Sequence, residues 1–271
     1  MNRIDATFQR LRDEGRAAFI PFFTAGDPDP DTTEELIARA GEAGADLIEL
    51  GFPMSDPVAD GPTIQASYTR VLERGQKCED VFRMAERARE RTDIPLVAMI
   101  SYTLVFKMGH EAFVERAIEA GFDGATIPDL PIEEAEGLHE MCREKDFRLI
   151  CFATPATTDE RRDMVAEHAR GFIYYIAVRG ITGERSALPP DLVENIEDLK
   201  SRTGVPVAVG FGISAPEHAR EVGKVADGVI VGSAILRRIN EAAESCGDPV
   251  GAATDFISDM SRAAKGLDEG E

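Results

Sequence analysis

"AFIPFFTAGDPDPDTTEELIARAGEAGADLIELG", residues 18–51, sets an apolar run, a turn rich in Asp and Pro, an amphipathic segment and a second apolar run in series. The runs at 18–24 and 46–50 are apolar almost throughout, as strands covered on both faces are. A helical crossover between two such strands makes them parallel. The same alternation recurs along the chain. Strands are expected at 18–24, 46–50, 96–101, 124–128, 148–153, 172–178, 206–210 and 228–232. Between them lie segments such as "HEAFVERAIEAGFDG", residues 110–124, whose periodicity puts Phe113, Ala117 and Ile118 on one face with charges opposite.

Eight strand–helix units in 271 residues imply an α/β fold, a closed (β/α)8 TIM barrel forming one domain over residues 1–271. A doubly wound open sheet competes, but its nucleotide turn would follow the first strand, and "FFTAGDPDPD" has one glycine and no GxGxxG. Residues 1–15 form an extra N-terminal helix, with Ile4, Phe8 and Leu11 spaced to cover one end of the barrel. Residues 263–271 are expected to trail as a disordered tail. The unit from 46 to 95 is longer than the others, and its excess is a Pro- and Gly-broken loop containing Asp60.

Fifty acids against thirty bases give a net charge of −20. Such a surface repels nucleic acid and anionic membranes. Because the excess is spread along helices, it is expected to serve solvation, as in a halophilic protein whose self-repulsion is screened by salt. No apolar run approaches the roughly 20 residues needed to span a bilayer. The charged first 15 residues lack the apolar core of a signal peptide, so a cytoplasmic location is expected. Cys78, Cys142, Cys151 and Cys246 form no CxxC pair, which argues against zinc, iron–sulfur or a disulfide framework. His110, His139, His168 and His218 all fall in polar, helix-like segments, where a solvated face is expected. No metal site is expected.

Barrel enzymes place their chemistry at the C-terminal ends of strands and in the loops that follow. The polar residues there are Thr24, Glu49, Asp60, Ser101, Tyr102, Asp129, Thr154, Tyr174, Tyr175, Thr182 and Ser233. No lysine lies at a strand end, so a Schiff-base aldolase is excluded as a reading. Glu49, flanked by Ile48 and Leu50, should be desolvated, and desolvation raises a carboxyl pKa into the range useful for proton transfer. Asp60 is a second carboxylate candidate, although Asp in "ADGP" is also ordinary turn chemistry. Three glycine-bearing loops follow the last three strands: "RGITGERSALPP" at 179–190, "GFGISAPEHAR" at 210–220 and "GVIVGSAILRR" at 228–238. The second offers a capping-box pattern from Ser214 to Glu217. Backbone N–H groups at glycine turns and helix N-termini suit a phosphate, and suit a protein of this charge, because no basic patch is needed.

"LIELGFPMSDPVADGPTIQ", "GITGER", "VAVGFGIS" and "GVIVGSAIL" closely resemble the tryptophan synthase alpha-subunit family, and the likeness runs through nearly the whole chain, including "FIPFFTAGDPD" and "PDLPIEEA". The resemblance implies a lyase of tryptophan biosynthesis that cleaves indole-3-glycerol phosphate to indole and D-glyceraldehyde 3-phosphate. It implies Glu49 as the acid–base group and Asp60 as an ionised partner facing the indole N–H, with Thr182 bonding Asp60 when a lid closes. Gly183, Gly212, Gly232 and Ser233 would hold the phosphate. Phe22, Ile100, Tyr174 and Phe211 would line the indole pocket, and Asp129 falls in a matching stretch. Two departures touch lid and partner contacts: "SYTLVF" at 101–106 lacks an Asn found shortly after the tyrosine in many relatives, and the lid reads Val178-Arg179. The family also implies a β-subunit partner in an alpha2beta2 assembly. That partner carries the pyridoxal phosphate, and no cofactor is expected in this chain. The loop "FPMSDPVADGP", with Met54 expected to be exposed, would be the docking surface that orders Asp60.

Two other readings compete. A non-catalytic subunit that only activates its partner would have no use for a buried acid. Another phosphate-sugar barrel, an epimerase or an indole-glycerol-phosphate synthase, would want metal ligands or strand-end lysines, and neither set is present.

Overall fold

The structure, a computed structural model, describes residues 1–57, 60–177, 190–210 and 212–267. Eight parallel strands close into a barrel in chain order, β1 to β8, with β8 pairing back onto β1. They are β1 (Ala18–Thr24), β2 (Ile48–Gly51), β3 (Leu96–Met99), β4 (Gly124–Thr126), β5 (Arg148–Ala153), β6 (Ile173–Ile176), β7 (Val207–Gly210) and β8 (Gly228–Val231). β1 and β5 have the expected bounds. β3, β4 and β8 stop short of their expected ends because apolar residues continue past the last ladder hydrogen bond into the loops, β6 is shorter at both ends, β7 starts one residue late, and β2 spans 48–51 in place of 46–50.

The helices are α1 (Arg3–Asp13), α2 (Pro30–Ala40), α3 (Pro62–Glu73), α4 (Cys78–Arg89), α5 (Tyr102–Met108) and α6 (His110–Glu119). They continue as α7 (Glu136–Glu144), α8 (Asp159–His168), α9 (Pro190–Arg202), α10 (Pro216–Gly223), α11 (Ser233–Glu244) and α12 (Pro249–Ala264), with a 3-10 turn at Ile132–Glu134. On α6 the buried face is Phe113, Val114 and Ala117. Ile118, expected on that face, is 39% exposed, because it lies five residues beyond Phe113, off the helical stripe. α12 continues into the expected tail: Ala263 and Ala264 are buried, and Lys265 pairs with Asp46 at 2.8 Å. No helix among the described residues is long and apolar enough to cross a membrane.

Alternation along the strands sorts the barrel interior into layers. The lower layer contains Ile20, Leu47, Val97, Ile150, Phe172, Ala208 and Ile230, closed from below by Ile4, Phe8 and Leu11 of α1. Phe8 and Phe172 lie with ring centroids 5.5 Å apart. Polar contacts clamp the helix there: Asp5 takes Arg148 at 2.6 Å, Arg3 reaches Asp123 at 2.9 Å, and the Asn2 amide donates to the carbonyls of Asp123 and Asp146. With one end plugged, the open end is where the strands finish. Two residues further along the strands, on the same inward face, come Phe22, Glu49, Met99, Phe152, Tyr174, Gly210 and Gly232.

Candidate active site

Glu49 sits in this upper layer on β2, paired in register with Phe22 of β1 and Val97 of β3. It is 3% exposed. Two strands along the sheet, the Thr126 hydroxyl on β4 donates to one carboxyl oxygen at 2.7 Å. Burial lifts the Glu49 pKa to about 7, the Thr126 hydrogen bond pulls against that, and nearby Asp60 adds to the rise. A carboxyl poised near neutrality both gives and takes a proton.

Asp60 ends the loop after β2, immediately before the Gly61 cap of α3. Its N–H bonds the Pro57 carbonyl at 3.1 Å and its own carbonyl accepts from the Gln65 amide at 2.7 Å. Burial alone pushes its carboxyl up to about 7. That differs from the expectation of a carboxylate kept ionised, since among the described residues nothing donates to it. α3 is pinned to the barrel mouth by Ser67, whose hydroxyl bonds that of Thr24, and by Arg70, which makes a two-pronged contact with buried Asp27 at 2.7 and 3.1 Å.

Aromatic walls enclose the pair. The Tyr174 ring lies 5.1 Å from that of Phe152, and its phenol feels both Glu49 and Asp60. Gly210 lets this ring cross, since a Cβ there would stand 2.5 Å from the Tyr174 oxygen. Gly51 does the same for Phe22 and Tyr68, with clearances of 2.6 and 2.7 Å. Ile100 is fully buried at the end of β3, its N–H on the Thr126 carbonyl. Asp129 accepts from the N–H of Tyr102 at 2.7 Å, tying the loop after β4 to the start of α5.

Gly232 and Ser233 join β8 to α11, with Gly232 as the N-cap residue, and Gly212 lies in the turn between β7 and α10. The capping box expected from Ser214 does not form: the N-cap is Ala215, with no side-chain cap, because Pro216 opens the helix one residue later than the pattern needs. Thr182, Gly183 and Phe211 lie outside the described residues.

Other expectations change too. Met54 is half-buried against the core, whereas Phe106 on α5 is 70% exposed. His139 and His168 meet in a seam between α7 and α8, and all four histidines are half-buried instead of lying on fully solvated faces. His139 lies against His168, ring centroids 5.3 Å apart, and 3.7 Å from the Cys151 sulfur. Burial, followed by His168, lowers its pKa to about 4. His139 lines a cavity of about 260 Å³ between the ends of β4 and β5 and helices α7 and α8, and Glu49 is not among its lining residues. Among the described residues no three His, Cys, Asp or Glu side chains come together to hold a metal ion. Thr126 and Tyr68 are the site residues that sequence reading missed.

Comparison with known proteins agrees with this geometry. The family model "Tryptophan synthase alpha chain" matches residues 8–265. The chain is 48% identical to the tryptophan synthase alpha chain of Rhodopirellula baltica, over 96% of each chain, and 46% identical to that of Caldanaerobacter subterraneus, over 91% of this chain and 94% of the relative. It superposes on the alpha subunit from Legionella pneumophila with a TM-score of 0.91 at 36% identity, covering 97% and 98% of the two chains. The aminoacrylate-bound tryptophan synthase of Mycobacterium tuberculosis gives 0.87 at 28% identity, over 98% and 100%. The chain belongs to the tryptophan synthase alpha-chain family, carbon–carbon lyases that cleave indole-3-glycerol phosphate in tryptophan biosynthesis.

Proposed function

We propose that Glu49 and Asp60 carry the cleavage, with Glu49 moving the proton and Asp60 facing the indole nitrogen. One observation carries the assignment: Glu49 is buried, held near pKa 7, and meets a hydroxyl instead of a cation. Expelling a carbanion from indole C3 has no electron sink. Protonation of C3 by Glu49 first creates an electron-poor indoleninium. The bond from C3 to the glycerol chain then breaks, its electrons flowing into the ring, while the Glu49 carboxylate takes the proton of the neighbouring glycerol hydroxyl. Indole and an aldehyde phosphate result, and Glu49 regains its proton. An ionised Asp60 opposite the ring N–H stabilises the positive charge of the intermediate.

Phe22, Ile100, Tyr174 and Phe211 form the indole pocket in this reading, and Thr182 bonds Asp60 over bound substrate. Gly183, Gly212, Gly232 and Ser233 supply backbone donors to the phosphate, with the N-terminus of α11 supporting Gly232 and Ser233. Alpha chains use no cofactor of their own, and pyridoxal phosphate resides in the β chain. We assign a β subunit, in an alpha2beta2 assembly, to the face that carries the loop after β2 and α5. Exposed Phe106 beside the strand ends supports that surface. The four free cysteines suit a reducing cytoplasm.

Indole release from indole-3-glycerol phosphate, followed spectrophotometrically with and without a β subunit, tests the reading. Glu49→Gln and Asp60→Asn should each lower turnover about a thousandfold while the protein stays folded. Near-normal turnover in either variant removes that residue from its role. A chain equally fast alone and in complex removes the partner's part in ordering Asp60.

A further inference from the structure

Tyr68 is 1% exposed, and among the described residues its hydroxyl has no hydrogen-bond partner. Buried native hydroxyls are nearly always satisfied, so one left over calls for a function. It lies on α3 between Ser67 and Arg70, the residues that fasten this helix to Thr24 and Asp27. Helical side chains lean towards the helix N-terminus, which directs the Tyr68 ring back along α3 towards Gly61 and Asp60. Its oxygen stands 2.7 Å from the position a Cβ on Gly51 would take, beside the Phe22 ring edge that fills the same space. Gly51 is two residues beyond Glu49 on the same inward face, so the phenol oxygen is at the mouth of the reacting site. Burial first, then Asp60 and Glu49, push its pKa well up, and the hydroxyl stays a donor throughout the working range.

Asp60 has the complementary deficit. Among the described residues its carboxyl accepts no hydrogen bond and forms no ion pair. The titratable groups whose charge is coupled to it come from β2 (Glu49), α3 (Tyr68) and β6 (Tyr174). Among the described residues the site thus holds a buried donor without an acceptor and a half-buried acceptor without a donor. We propose that the Tyr68 hydroxyl donates to the Asp60 carboxylate in the substrate complex, fixing it in its ionised form against the ring N–H. Tyr68 is then a positioning residue that acts through Asp60, and this rests on the role assigned to Asp60 above.

The proposal resolves a difficulty in the acid–base pair. The chemistry needs Glu49 protonated and Asp60 ionised together, but burial, with the Asp60 charge adding to the rise at Glu49, brings both to about 7, where much of the enzyme holds the wrong arrangement. A hydrogen bond to the charged form lowers the pKa of Asp60 and separates the two groups.

Tyr68→Phe removes one oxygen and leaves the ring. With a β subunit present, kcat at pH 7 should fall about tenfold, as loss of a hydrogen bond to a charged group implies. The acid limb of the kcat–pH profile, which reports the complex, should move up by about one pH unit. The melting temperature should hold or rise, because an unsatisfied hydroxyl has been removed. An unchanged kcat profile overturns the proposal. So does a raised KM with the acid limb unmoved, which would make the hydroxyl a substrate contact. Asp60→Asn measured alongside separates the two claims: an active Asp60→Asn variant defeats the Asp60 assignment, whereas an inactive one beside a normal Tyr68→Phe defeats only the Tyr68 inference.

Discussion

Replacing Glu49 by Gln should make the protein more stable while it stops catalysis, and the gain should depend on pH. Glu49 is raised from an ordinary 4.5 to about 7 by burial in the barrel. At 3% exposure there is no solvent screening to discount. A rise of that size corresponds to about 3 kcal/mol by which the ionised side chain opposes folding above neutrality. The folded state holds this proton more tightly than the unfolded chain does. Stability is therefore lost as pH climbs from about 4.5 to about 7, and the loss is complete above that. Gln carries no charge, and its amide oxygen still accepts the Thr126 hydroxyl that bonds Glu49 at 2.7 Å. Its NH2 group finds no ready acceptor, which takes back about 1 kcal/mol. A net gain of about 2 kcal/mol at pH 8.5 should raise the melting point by about 5 °C in a chain of this size. At pH 5, where folded wild type is already protonated at Glu49, the two proteins should melt together. Thermal melts at both values decide the matter. A difference between variant and wild type that is the same at pH 5 and 8.5 would refute the buried, proton-holding carboxyl.

Thr126→Val keeps the shape of the strand residue but deletes the hydroxyl that stabilises the Glu49 carboxylate. The alkaline limb of the kcat/KM profile should move to higher pH and turnover should fall about tenfold. An unmoved limb would mean that the hydroxyl only fills space. The net charge of −20 predicts melting temperatures that climb with KCl as self-repulsion is screened, and a flat salt series would remove the case for a halophilic surface.

The fold was legible because its signals are local. Strand β1 can be read to the residue from "AFIPFFT", and the plug helix α1 from the spacing of Ile4, Phe8 and Leu11. Glu49 was legible for the same reason: a lone charge in an apolar strand is costly and conspicuous in sequence. Thr126 and Tyr68 gave no comparable signal. A threonine in a strand and a tyrosine in an amphipathic helix are ordinary residues in ordinary places. The Thr126 hydroxyl meets a carboxyl 77 residues away only because β2 and β4 flank β3 in the sheet with both side chains turned inward. His139 and Met54 were misjudged by the same limit. Their local stretches are polar or loop-like, and their burial comes from neighbouring elements.

The barrel contains its own control for the meaning of Glu49. Four acids are buried among the described residues: Asp27, Asp46, Glu49 and Asp123. Asp27 is met by Arg70 and Arg74, Asp46 by Arg10 and Lys265, and Asp123 by Arg3 and Arg89. Each of these pairs fastens a loop or helix to the barrel, and in each a cation offsets the charge that burial would otherwise make costly. Glu49 has a hydroxyl where the others have a guanidinium or an ammonium. A cation beside it would hold the carboxyl ionised, typically lowering its pKa by about 1–3 units, and would leave it with no proton to give. Among the described residues no basic side chain meets Glu49, and that sets it apart chemically from its structural counterparts. The cost of burying it unpaired is what equips it for the role proposed above: the free energy that opposes ionisation is the same free energy that would keep a proton ready for indole C3.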